Sequence, residues 1–306
     1  MSVTVGDRVC VLGAGLIGGS VIRAAAAAGW QVTGWNRGPV DSPQVSTDLP
    51  AVLTAAGDDD ALVLLAVPMT ALEPVLAAVA EHAPGCALTD VVSVKAPVVD
   101  AVARRGLGAR YVGGHPMAGT SRSGWDAGHA ELFRDAAWVV AADDGLDADV
   151  WRRVARLALD CGAHVVPAAA TEHDAAVARI SHLPHLMAAV LASVGADGGA
   201  LAMGLGAGSF TDGTRVAGTR PELTRAMLEA NGPALREALD DALGRLGAAR
   251  GALTSTGSVG ATIIDGHDAR ALFVDHERFD ITGVALHDLR ALREAGRAGG
   301  VLRTLD

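Results

Sequence analysis

The chain has 306 residues, enough for two domains of ordinary size. Half of its residues are hydrophobic but only 3% are aromatic, so its core must be built from Ala, Val and Leu. A net charge of −10 without a basic cluster argues against a nucleic-acid partner. No uninterrupted apolar run approaches the ~18 residues that a membrane span needs, so no membrane partner is expected. The first residues lead straight into a strand rather than a signal peptide. Three widely spaced cysteines, Cys10, Cys86 and Cys161, fit a reducing, cytoplasmic setting with no disulfide framework.

RVCVL at 8–12 reads as a buried strand, and GAGLIGGS at 13–20 turns from it into a helix that Gly29 stops. QVTGW at 31–35 is a second strand. DALVLLAV at 60–67 is a third, apolar throughout and so covered on both faces, followed by a helix over 71–81. CALTDVVSV at 86–94, ARYVGG at 109–114 and AAWVVAA at 136–142 give three more strands, with a helix starting near Lys95–Pro97. Strands alternating with helices predict an α/β fold with a doubly wound parallel sheet of the Rossmann type. Right-handed crossovers then place the loops that follow each strand along one edge.

From about residue 146 the pattern changes. DADVWRRVARLALDCG is an amphipathic helix, a short strand follows at 163–166, and no further strand is expected after Pro167. TEHDAAVARISHLPHLMAAVLASVGA, residues 171–196, reads as a helix broken or kinked at Pro184. Further helices are expected over 221–253 and 283–297. The expected organisation is a dinucleotide-binding domain at 1–166 and an all-helical substrate and dimerisation domain at 167–306, so a homodimer is expected. Residues 255–306 read either as a helix and hairpin at the subunit contact or as a tail.

The fingerprint is informative because of where it sits. Gly13 allows the tight turn, Gly15 lets the backbone approach a pyrophosphate, and Gly18 lets the helix lie close to its strand. Leu16 and Ile17 open that helix, whose free N–H groups and dipole favour phosphate. The end of the second strand separates the two nicotinamide cofactors. An NAD site wants an acid there, but the chain has Asn36 and Arg37 and no acid until Asp41. Arg37, helped by Asn36, suits a 2′-phosphate, so NADP is expected over NAD; a solvated Arg37 and use of NAD is the plainer alternative. Of 25 basic residues only Lys95 is a lysine, and it ends the turn TDVVSVK. A point charge there could reach anionic cofactor groups.

Ser93 and His115 are the polar groups that the strand-end loops offer for chemistry. His115 lies in GGHPMAGTSRSGW, residues 113–125, a glycine-rich turn after a strand. The helical region offers His182 and His185, spaced i, i+3, and Arg215 in FTDGTR. Each has a plainer reading: a turn cap for His115, core histidines or a metal pair for His182 and His185, a surface cation for Arg215. The carboxylate or cysteine partners of a zinc site are not evident nearby, so no metal is expected.

GAGLIGGS, TDVVSVK, GGHPMAGT, SHLPH and FTDGTRVA occur in the order found in prephenate/arogenate dehydrogenases of tyrosine biosynthesis, and from residue 8 to about 250 the chain resembles that family. The resemblance implies that His115 is the catalytic histidine and that Ser93 orients it or the substrate hydroxyl. It also implies that Arg215 binds a substrate carboxylate and that His182 and His185 line the pocket. The implied reaction is the oxidative decarboxylation of prephenate to 4-hydroxyphenylpyruvate, where a neutral imidazole takes the hydroxyl proton, worth roughly 10²–10⁴-fold. An arginine fork suits the substrate's carboxylates.

Some members carry an acid after the HPxAGT threonine. Here Ser121 and then Arg122 stand there, which favours prephenate over arogenate with its side-chain amine. No appended amino-acid-sensing domain is expected in the residues beyond Gly251, so tyrosine should act as a competitor at the active site. Arogenate and 4-amino-4-deoxyprephenate remain alternative substrates. A β-hydroxyacid dehydrogenase would want a lysine in the helical domain, and a coenzyme-binding sensor would lack a complete site.

Overall fold

The computed structural model describes residues 7–120 and 122–305. The chain forms two units: one runs to His173 and takes up the chain again from Phe279, and the other is Asp174–Arg278.

The first unit is built on a six-stranded parallel sheet. Its strands are β1 (Arg8–Leu12), β2 (Gln31–Trp35), β3 (Val45–Ser46), β4 (Leu62–Leu65), β5 (Leu88–Asp90) and β6 (Tyr111–Val112), in the order β3-β2-β1-β4-β5-β6. The helices between them are α1 (Leu16–Ala27), α2 (Leu49–Asp58), α3 (Met69–His82) and α4 (Ala96–Arg104). All four side chains of β4 are buried, as its apolar run requires; each is worth roughly 1.5–3 kcal/mol of burial. Strand order reverses between β1 and β4, and the crevice beyond the ends of such a strand pair is where doubly wound sheets bind ligands. β3 was not anticipated, since two residues carry no periodicity.

The region after β6 departs from a single doubly wound sheet. The chain breaks at Gly113 and starts a second, three-stranded sheet of β7 (Gly114–Pro116), β8 (Ala137–Ala141) and β9 (His164–Ala168). β7 and β8 are antiparallel, with His115 opposite Val139. The expected fifth strand is thus divided between two sheets. Gly114 makes this possible, because a Cβ there would lie 2.7 Å from the Asp90 carbonyl oxygen. After β8, α5 (Ala148–Asp160) buries Trp151, Val154 and Leu157.

The expected domain boundary differs more. α6 (Ala170–Val177) carries the division between the units, between His173 and Asp174. The last residues rejoin the first unit through β10 (Phe279–Asp280), α13 (Leu289–Arg297) and β11 (Gly300–Val301). Leu302 bridges Val165 in both backbone directions, at 2.9 and 2.8 Å. α13 approaches β9 so closely that a Cβ on Gly296 would meet the Pro167 carbonyl oxygen at 1.9 Å. Residues 279–305 are neither a tail nor part of the helical unit.

The second unit is helical. A π-turn at Ala178–His182 separates α6 from α7 (Leu183–Asp197), immediately before Pro184. Proline removes an N–H and crowds the preceding turn, and the wider winding accommodates it. α8 (Gly199–Gly204), α9 (Gly208–Thr214), α10 (Pro221–Ala230), α11 (Gly232–Thr256) and α12 (Gly260–Val274) complete the unit. The expected helix over 221–253 is two helices, because Gly232-Pro233 interrupts it at Asn231. Taken through the π-turn, the helical stretch Ala170–Asp197 has the length and apolarity of a membrane span, by composition alone.

Candidate active site

The fingerprint turn forms at the strand switch. Gly13 adopts φ +108°, and a Cβ there would meet the Ala66 carbonyl oxygen at 2.6 Å. Its N–H bonds the Trp35 carbonyl at 2.7 Å. A Cβ on Gly18 would overlap the Gly13 carbonyl oxygen at 1.8 Å, so helix and turn touch backbone to backbone. Gly15 is different: nothing lies within 4 Å of its added Cβ, and as the N-cap of α1 it offers no side-chain acceptor to the first turn. Backbone closed on one side and open on the other, at an uncapped helix start, fits a dinucleotide's pyrophosphate. Leu16 and Ile17 are half-buried at the head of α1.

Asn36 departs from its expected role. Its side-chain oxygen accepts from Ala14 N–H at 3.1 Å and its amide donates to the Gly38 carbonyl at 2.8 Å. The carboxamide ties the end of β2 to the fingerprint turn rather than reaching out. Arg37 beside it is exposed. Behind α1, the Arg23 guanidinium stacks on the Trp125 ring at 3.6 Å, and Ser20 Oγ accepts from His129 N–H at 3.0 Å. The stretch after the HPMAGT motif therefore rests on the fingerprint helix.

Lys95 is the clearest difference from expectation. Its side chain is 1% exposed and its ammonium pairs with Asp90 and the Gly114 carbonyl. The other Asp90 oxygen accepts from Tyr111 Oη at 2.6 Å, and Val92 N–H adds 2.7 Å to the first. A buried ammonium must be paired, and a buried carboxylate must be saturated with donors. This lysine is therefore no cofactor ligand. It joins the ends of β5 and β6 to the start of β7 and so sets the strand that carries His115. Ser93 is half-buried in the β5–α4 loop.

His115 lies in β7 itself, not in a turn, so sheet register fixes its backbone. Its Nδ1 lies 2.8 Å from Nε2 of His173 on α6, and the two rings meet edge-on at 83°. His173 is 3% exposed. Sequence reasoning passed over His173. It sits in TEHD, shortly after β9, but nothing in its spacing from His115 marks the pair, because the sheet change brings them together.

In the second unit His182 is 1% exposed, and its Nδ1 faces the Asn231 amide at 3.0 Å. The same amide donates to the Asp174 carbonyl at 2.8 Å. Since an amide N–H is a donor, His182 accepts at Nδ1 and is a packed, interior histidine. His185 differs: Nδ1 donates to the Ser181 carbonyl at 2.8 Å, which leaves Nε2 as the ring's acceptor. Arg215 is exposed at the end of α9 and makes no ion pair among the described residues. Ser121 lies outside the described residues. No group of three metal-ligating side chains converges among the described residues.

Burial raises the Asp143 carboxyl above its ordinary value, partly opposed by the Ala170 N–H that it accepts. Burial also pushes the Cys10 thiol up to about 12, so it is no nucleophile at neutral pH.

Comparison with known proteins gives the family. The model for the prephenate dehydrogenase nucleotide-binding domain matches residues 36–167, and that for the prephenate dehydrogenase dimerization domain matches 169–257. A cyclohexadienyl dehydrogenase of Zymomonas mobilis is 32% identical over 82% of this chain and 90% of its own length. A Corynebacterium glutamicum crystal structure, described provisionally as a prephenate dehydrogenase, is 44% identical with a TM-score of 0.91, covering 98% of this chain and 99% of its own. The prephenate dehydrogenase of A. aeolicus, solved with hydroxyphenyl propionate and NAD+, shares the fold at a TM-score of 0.76 and 22% identity, covering 90% of this chain and 100% of its own. This chain belongs to the prephenate dehydrogenase family.

Proposed function

We propose that the chain catalyses the oxidative decarboxylation of prephenate to 4-hydroxyphenylpyruvate in tyrosine biosynthesis, with His115 as the general base. The observation that carries this reading is the placement of His115. A strand holds its backbone, and the ring of a buried histidine lies 2.8 Å from its Nδ1, so the imidazole is fixed in place as a base must be. A bound nicotinamide supplies the hydride acceptor. The chain's own groups do the rest. His115 Nε2 takes the proton of the 4-hydroxyl as electron density leaves the carbon that bears it. The ring carboxylate departs as CO2, leaving its bonding pair to complete the aromatic ring. Arg215 binds a substrate carboxylate bidentately, and Ser93 hydrogen-bonds the reacting hydroxyl.

Exposed Arg37, with no acid beside it, supports NADP over NAD. Ser121 and then Arg122, rather than an acid, after the threonine motif support prephenate over arogenate. The dimerization-domain match and the exposed apolar helices of the second unit support a homodimer. A homodimer with those faces covered accounts for the apolar run Ala170–Asp197 without a membrane, in the cytoplasm. The test mixes purified protein with prephenate or arogenate, each with NAD or NADP, and follows nicotinamide absorbance. Fast reduction of NADP by prephenate is expected. Turnover of arogenate alone would overturn the substrate assignment, and a preference for NAD would overturn the role of Arg37.

A further inference from the structure

The pair His115–His173 says more than that two histidines touch. Only one hydrogen can lie between His115 Nδ1 and His173 Nε2 when both rings are neutral. If His173 donates it, His115 must carry its own hydrogen on Nε2 and cannot accept a proton there. If His115 donates it, Nε2 holds a lone pair. We propose that His173 is a positioning residue: it accepts the Nδ1–H of His115 and holds that ring in the tautomer whose Nε2 is a base. This rests on the reading of His115 as the base.

The surroundings of His173 are built to keep this acceptor still. Both carboxylate oxygens of Asp143 accept from Ala170 N–H, at 3.2 and 3.1 Å, at the start of α6. Glu172 accepts from Ala169 N–H at 3.3 Å and from Arg297 Nε at 2.7 Å. Arg293, one turn earlier on α13, donates to the Ala142 carbonyl at 2.8 Å and to Asp144 at 3.1 Å. The C-terminal helix thus clamps the strand end and helix start that present His173. His115 is fixed from the other side by the pairing of β7 with β8 and by the buried Asp90–Lys95 pair under Gly114. Neither ring is free to swing away. When His115 takes a proton on Nε2, its Nδ1–H becomes a charge-assisted donor to a neutral acceptor already in place.

A carboxylate in this position would hold the same tautomer and also attract the imidazolium. A neutral imidazole selects the tautomer with less pull on the charge, so the proton taken up is more readily given away at the end of a cycle.

The experiment is nitrogen NMR on the full chain labelled with 15N-histidine, without substrate, with the His115 signals assigned by their loss in His115→Asn. A protonated Nδ1 and an unprotonated Nε2 on His115 are expected. His173→Leu should convert His115 largely to the opposite tautomer and lower kcat by ~10–100-fold at unchanged substrate KM, on the scale of lost orienting partners. His173→Gln, whose amide oxygen replaces Nε2 as acceptor, should restore both. An Nε2–H tautomer in the parent protein, or parental kcat in His173→Leu, overturns the proposal. The tautomer does not depend on which substrate is turned over. Normal turnover in His115→Asn would therefore sink the base assignment separately, while the NMR would still decide the direction of the hydrogen bond.

Discussion

The two units of this chain are folded to different degrees of self-sufficiency. Every member of the two large apolar clusters, from Val9 and Leu64 to Trp151 and Leu302, belongs to the first unit. In the second, the fully buried apolar side chains among the described residues are only Val177, Ala178, Ala188, Leu235 and Ala238. Leu201, Leu272 and Phe273 are each 75% exposed there. One unit has closed its core within a single chain; the other presents apolar faces that a single chain leaves open. Burial of that kind is what a partner supplies, and scattered single leucines would not need it.

The largest effect expected from breaking this contrast is chemical. His115→Asn in the first unit should lower kcat by at least ~10²–10⁴-fold with coenzyme affinity intact, measured by steady-state kinetics and coenzyme titration. Lys95→Met should cost about 3–5 kcal/mol by stranding Asp90 in the interior, seen as a lower denaturant midpoint of the first unit. An unchanged midpoint would mean that the pair contributes nothing net. Arg215→Ala, in the second unit, should raise substrate KM by ~10–100-fold with a smaller change in kcat, because a charged hydrogen bond of about 1.5–3 kcal/mol is lost. Leu272→Asp with Phe273→Asp should weaken self-association in sedimentation and leave the denaturant midpoint of the first unit unmoved.

The smallest effect sharpens the electrostatics of the first unit. Burial raises Asp143 above the ordinary value of 3.8, so the native state binds its proton more tightly than the unfolded chain does. The stability from that proton is full below 3.8 and is lost as pH rises through the folded value. Asp143→Asn keeps an acceptor for Ala170 N–H and has no charge to bury. Its stability relative to the parent should therefore improve as pH rises across that window, and a flat difference would show that the carboxylate is well solvated.

Much of this was legible in the residues. Continuous apolar runs located β1 and β4, and glycines at 13, 15 and 18 located the turn between strand and helix, because backbone approach leaves only one residue type. His115 stood out in the sequence as the candidate base. Its setting in a strand was not legible, since β6 has two residues and the change of sheet at Gly113 leaves no periodic trace. Lys95 was conspicuous as the single lysine, but sequence carries no sign of burial, and its partner Asp90 reads as one more turn residue. His173 and the return of residues 279–305 to the first unit depend on contacts across long stretches of chain, which local pattern does not encode.

That return has a consequence for how the protein is made. β9 is the outer strand of its sheet, and its outer edge is met by Leu302. At about 5–20 residues per second, a ribosome delivers Leu302 on the order of ten seconds after Val165. During that interval the nascent sheet has an open edge, a template for mispairing with other chains. The Arg297 anchor for the helix bearing His173 is missing as well. Nascent chains stalled before residue 289 should thus recruit chaperones and show no activity even with the fingerprint turn already folded.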